Sequence, residues 1–224
     1  MSARPSCRVS RQIVVLTLSI VSVSSDGRAQ SAAGATQDSD TSPTPNWSVR
    51  AAAATYVLPD EDDYVQPTVA IDRGALHLEG RYNYEDRRSA SGFIGWNLEF
   101  GETVTLQLTP MFGVVVGHTD GIIPALELDL VWSRLELYSE GEYVFDINHV
   151  NNRFLYNWSE VSLWAVSWLR AGIVTQRTRA HGVPLDIQRG LLVGATLAKV
   201  EPVFYFFNPG SSDRFFVGSI RVEF

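Results

Sequence analysis

Carboxylates and arginines recur at every second position within otherwise apolar runs of this chain. Glu127 and Asp129 alternate with Leu126, Leu128 and Leu130, Glu136, Glu140 and Glu142 oppose Leu135, Leu137 and Tyr143, and Glu79 and Arg81 alternate with Leu78 and Gly80. Successive side chains of an extended strand point to opposite faces, so this spacing collects the charges on one wall and the aliphatic groups on the other. A wall of that kind does electrostatic chemistry: it orients and selects polar or charged solutes. Gln107, Glu160, Arg50, Arg170 and Arg221 extend the charged and polar face.

Other chemistries find less support. The histidines His77, His118, His149 and His181 have no Ser and carboxylate at a spacing that suggests a catalytic triad. Ser159 or Ser162 with His149 is the nearest pairing and matches no motif, so no catalytic residue is expected. No paired histidines and no calcium-type loop repeat occur, and the one cysteine, Cys7, lies near the amino terminus, so neither a metal nor a cofactor is expected. The acidic run at 60–63 reads as a solvated loop that can bridge to lipopolysaccharide through a divalent cation. Lysine occurs once, at Lys199, and the net charge is -7, which excludes a basic surface for nucleic acid.

The amino terminus indicates export. Arg4, Arg8 and Arg11 precede an apolar run at 13–23, and small residues follow at 27–29, the layout of a signal peptide with cleavage after Ala29. Residues 30–45 are rich in Ser, Thr, Pro and Asp and are expected to form a flexible leader on the periplasmic side. From residue 46 to 224 the pattern becomes period-two segments of roughly ten residues separated by turn residues, as in transmembrane strands.

Twelve strands are predicted, at 47–58, 64–71, 75–84, 89–100, 103–117, 122–132, 135–147, 153–166, 169–179, 187–198, 201–208 and 214–224. Short turns and longer polar loops alternate between them, and aromatics near strand ends, including Trp47, Tyr64, Tyr84, Trp96, Phe100, Trp132, Tyr143 and Trp168, suit interfacial girdles. Tyr84 is expected outward with Leu76 and Leu78.

The last strand places Phe216, Ile220, Val222 and Phe224 on one face. That alternation and the final Phe resemble the carboxyl-terminal signal of bacterial outer-membrane β-barrel proteins. The resemblance implies an all-β, twelve-stranded antiparallel transmembrane barrel in the outer membrane of a Gram-negative bacterium, strand 1 paired with strand 12. It further implies insertion by the barrel-assembly machinery, a surface in contact with outer-membrane lipid and lipopolysaccharide, and a porin-like passage for small polar solutes. A structural barrel with a salt-bridged, largely closed lumen and a lipid-modifying enzyme are the competing readings.

Overall fold

In a computed structural model, residues 46–59 and 61–224 are described; the signal-peptide and leader assignments at 1–45 and residue 60 of the acidic loop lie outside them. The strands are β1 (Trp47–Val57), β2 (Tyr64–Arg73), β3 (Leu76–Tyr82), β4 (Ala90–Trp96), β5 (Leu98–Phe100), β6 (Val104–Val116), β7 (Gly121–Trp132), β8 (Leu135–Asp146), β9 (Phe154–Val166), β10 (Leu169–Ala180), β11 (Asp186–Ala195), β12 (Val200–Phe207) and β13 (Phe215–Glu223). All pair antiparallel with their neighbours in one sheet. β4 and β5 both lie on β6 in one continuous register, Gly95 opposite Met111 and Leu98 opposite Leu108. They form a single stave interrupted at Asn97, so the count around the barrel is twelve.

Closure comes from β1 and β13, which pair from Arg50–Glu223 to Val57–Phe216. The Phe224 N–H donates to the Val49 carbonyl at 2.9 Å and extends that seam. Closure leaves no edge strand, which is how a barrel satisfies the backbone polar groups of its wall.

Alternation decides which side chains reach the interior. Along β6, Thr109, Met111, Gly113 and Val115 are buried while Pro110, Phe112, Val114 and Val116 are exposed. The exposed set around the barrel is apolar and includes Val69, Ile94, Leu126, Leu163, Ile173, Leu191, Phe204 and Ile220. Such a continuous apolar belt matches lipid rather than water. No helix among the described residues is long and apolar enough to cross a membrane. Trp47, Trp96, Phe100, Trp132 and Trp168 are each more than half exposed and stand at the end of the barrel that carries the short turns. They form an aromatic girdle there.

Two girdle assignments are corrected. Tyr64 lies on the inward phase of β2, stacked on Tyr56 with ring centroids 4.7 Å apart. Tyr84 also turns inward. β3 ends at Tyr82, and Asn83 adopts a left-handed backbone with φ of 57°, which reverses the side on which the next residue emerges. The Asn83 side chain holds this bend by accepting from the Arg88 N–H at 2.7 Å and donating to the Val65 carbonyl at 3.0 Å.

Candidate functional site in the barrel lumen

Inward residues near the loop end are mostly apolar. Phe93, Met111, Val115, Ile123 and Val144 form one buried cluster; Tyr56, Trp158, Val174, Leu192, Val203, Tyr205, Phe207, Phe215 and Val217 form a second. Phe207 stacks on Phe215 at 4.6 Å and meets Trp158 edge-on at 5.4 Å. Tyr84 and Tyr156 meet edge-on at 5.9 Å. These groups narrow the interior toward the loops.

Beneath and between the clusters lies a cavity of about 210 Å³. Its lining combines charge with aromatic faces: Arg50, Glu79, Glu127, Asp129, Glu136, Glu140, Glu160, Arg170 and Arg221 with Tyr84, Tyr138, Tyr156, Trp158 and Tyr205. The charges fall into two groups, each centred on a buried arginine.

Arg81 is the first centre. Its Nε donates to Glu79 at 2.6 Å and its Nη1 to Glu142 at 3.1 Å; Glu127 lies at 3.8 Å, Glu85 at 4.0 Å, and Glu140 also pairs with it. Rings flank the guanidinium, with Tyr84 and Phe93 each centred 4.4 Å from its carbon. Phe93 fits because Gly113 faces it: a Cβ on Gly113 would stand 2.4 Å from the ring. The Tyr84 hydroxyl donates to Glu140 at 2.7 Å.

Arg170 is the second centre. It reaches Glu160 at 3.1 Å, Glu201 at 2.9 Å and Glu136 at 4.0 Å. Glu201 in turn pairs with Arg221 at 3.2 Å. The Tyr205 hydroxyl and the Trp158 indole N–H donate to Glu160 at 2.7 and 2.8 Å. The Trp164 indole N–H donates to Glu136 at 2.7 Å.

The two centres are unequal in charge. Five carboxylates surround Arg81, whereas Arg170 and Arg221 share three. Several buried oxygens, Glu85 Oε2, Asp129 Oδ1 and Glu142 Oε1, have no hydrogen-bond partner among the described residues. Glu85, on the loop between β3 and β4, has its carboxyl raised above the usual carboxylate range by burial.

No family model and no curated protein matches the sequence. Among solved structures, the KdgM porin in complex with disordered oligogalacturonate superposes with a TM-score of 0.57 at 10% identity, covering 79% of this chain and 99% of that one. The NanC porin gives a TM-score of 0.52 at 7% identity over 80% of this chain and 99% of its own. The chain has the porin barrel fold.

In this porin-type barrel the residues singled out from sequence fall as follows. Arg50, Glu79, Glu127, Asp129, Glu136, Glu140, Glu160, Arg170 and Arg221 border the cavity. Arg81 and Glu142 lie buried behind it, joined to each other. Gln107 is on the inward phase of β6, opposite Asp129 on β7. Phe216, Ile220 and Phe224 are exposed on the outer wall, and Val222 lies on the same phase of β13.

Ser159, Ser162 and His149 are not brought together. Ser162 is buried beside Arg170, at 3.3 Å, while Ser159 is on the opposite phase and bonds Ser139 at 2.9 Å and Asn157 at 3.0 Å. His149 follows β8, its backbone N–H donating to Asp146.

Sequence reasoning missed Tyr84, Glu85, Asp72 and Asn97. Asp72 falls just outside the predicted strand 64–71, yet it lies on the inward phase at the end of β2 and binds Arg50 at 3.3 Å. Its place on the same alternating phase as Gln66, Thr68 and Ala70 was the available signal.

Proposed function

We propose that the protein is an outer-membrane channel through which small polar or charged solutes diffuse, with the lumen carboxylates favouring cations. The observation that carries this reading is the carboxylate excess around the axial cavity, on a barrel with the porin fold. Glu127, Asp129, Glu136, Glu140, Glu142 and Glu160 supply the negative field, while Arg81, Arg170 and Arg50 shape the constriction. Low-dielectric walls focus such a field and raise the local concentration of the opposite charge.

KdgM was solved with oligogalacturonate, an anionic saccharide. An acidic lumen disfavours a polyanion of that kind, so the solutes proposed here are cationic or neutral. The proposal includes no catalytic step. Lipopolysaccharide around the wall and the barrel-assembly machinery, acting through Phe216, Ile220, Val222 and Phe224, complete the set of partners.

A second reading has its own support. The apolar clusters and aromatic rings near the loop end, together with the ion pairs on Arg81 and Arg170, favour a structural barrel whose lumen is largely closed. Planar-bilayer recording of the purified protein separates the two. Cation-selective conductance steps are expected for the channel; a silent bilayer containing folded protein leaves the closed barrel.

A further inference from the structure

His77 is wholly buried at the base of β3, and carboxylate oxygens face both of its ring nitrogens. Nδ1 is 2.8 Å from Asp72 Oδ1, and Nε2 is 3.2 Å from Glu79 Oε2. Asp72 is itself fixed, accepting from Asn97 Nδ2 at 2.7 Å, while Asn97 accepts from the Thr109 hydroxyl at 2.8 Å. The interruption between β4 and β5 falls at Asn97, the residue that anchors this chain of bonds.

A neutral imidazole carries one N–H. If that proton goes to Asp72, the Nε2 lone pair meets the Glu79 carboxylate, two acceptors with nothing between them. A proton or a cation has to lie there, either a second proton shared between the ring and the carboxylate or a metal ion. Glu127, from β7, brings a third ligand: a nitrogen of His77 and one oxygen each of Glu79 and Glu127 all lie within 4.8 Å of one another. The surroundings add to the demand, because five carboxylates share Arg81 and Glu142, 2% exposed, keeps an oxygen without a partner. Buried charges in proteins are paired or coordinate metals.

We propose that His77, Glu79 and Glu127 form a divalent metal site on the lumen wall, of the class that zinc occupies. One imidazole with two carboxylates is a donor set suited to that ion. Asp72, holding the far nitrogen, takes the part that a carboxylate plays behind a metal-bound histidine: it fixes the tautomer and the ring plane. Glu79 keeps one oxygen on Arg81 and offers the other to the metal. Glu79 and Glu127 both border the cavity, so the site is reachable from the lumen. The sequence shows only the His77-x-Glu79 half of the set, since Glu127 arrives from a strand far along the chain.

The test uses tag-free, full-length protein folded in detergent, dialysed against Zn²⁺ and analysed for bound metal, with Co²⁺ absorption as a report on coordination. One tightly held equivalent is expected at mildly alkaline pH, absent in His77→Ala and weakened about 10- to 100-fold in Asp72→Asn. Heat-modifiable gel mobility establishes that each variant is folded. Folded wild-type protein that binds no metal would overturn the proposal, leaving a shared proton between His77 and its two carboxylate partners. Undiminished binding in folded His77→Ala would overturn it equally. Both readouts are independent of conductance, so they leave the channel reading unaffected.

Discussion

Arg81 on β3 donates to Glu142 on β8 at 3.1 Å, a bond that crosses the interior between strands separated in the wall by β4, β6 and β7. It ties strands a third of the way around the barrel from one another through buried charge. Replacing Arg81 with Met leaves the surrounding carboxylates without their shared cation, and the expected loss is about 3–5 kcal/mol. Urea unfolding in detergent micelles measures it.

Asp129 borders the cavity with one oxygen unpartnered. Asp129→Asn removes a lumen charge without breaking an ion pair, so stability should change by less than about 0.5 kcal/mol. Reversal potentials across a salt gradient should shift toward weaker cation preference. Unchanged selectivity would argue against the carboxylate wall as the selective element.

Tyr84 and Tyr156 meet across the interior. If the barrel conducts as proposed, Tyr84→Ala should widen the passage and raise single-channel conductance. If conductance is unaltered in folded protein, the narrowing lies elsewhere.

Gly113 leaves the space that the Phe93 ring fills. Gly113→Val displaces Phe93 and with it one face of the Arg81 pocket, costing about 1–3 kcal/mol by overpacking. Gly80→Ala, whose added carbon finds no atom closer than 4.0 Å, is the matched control and should be nearly silent.

Burial raises the Glu85 carboxyl above its ordinary value. The folded state therefore holds a proton that the unfolded chain releases. That contribution to stability is fully present below the unfolded-state pKa and is lost as pH rises through the folded-state value. Glu85→Gln, which keeps an acceptor for the Ser91 hydroxyl, should flatten this decline in stability between acidic and neutral pH, as chemical denaturation followed across pH would show.

Much of this arrangement is legible in period two. Leu126, Glu127, Leu128 and Asp129 reveal their faces by alternation alone, because lipid tolerates charge poorly and each residue must take one side or the other. Alternation fails where the backbone breaks step. Asn83 adopts a left-handed conformation and sends Tyr84 inward, and Glu85, which reads as part of a polar loop, is buried against Ser91. Facing partners are also beyond a one-dimensional pattern: it assigns Arg81 and Glu142 to the interior but says nothing of their meeting, which depends on the curvature of the wall.

All but one of the junctions around the barrel join strands that follow one another in the chain; only β1 with β13 joins strands from its two ends. Hairpins can therefore zip one after another while a sheet with two raw edges waits. Loss of an internal hairpin such as β7–β8 leaves neighbours that can still meet to make a smaller ring, whereas loss of β13 alone leaves β1 and β12 running in the same direction. The antiparallel seam between β1 and β13 thus reflects an even stave count, in which up and down strands balance.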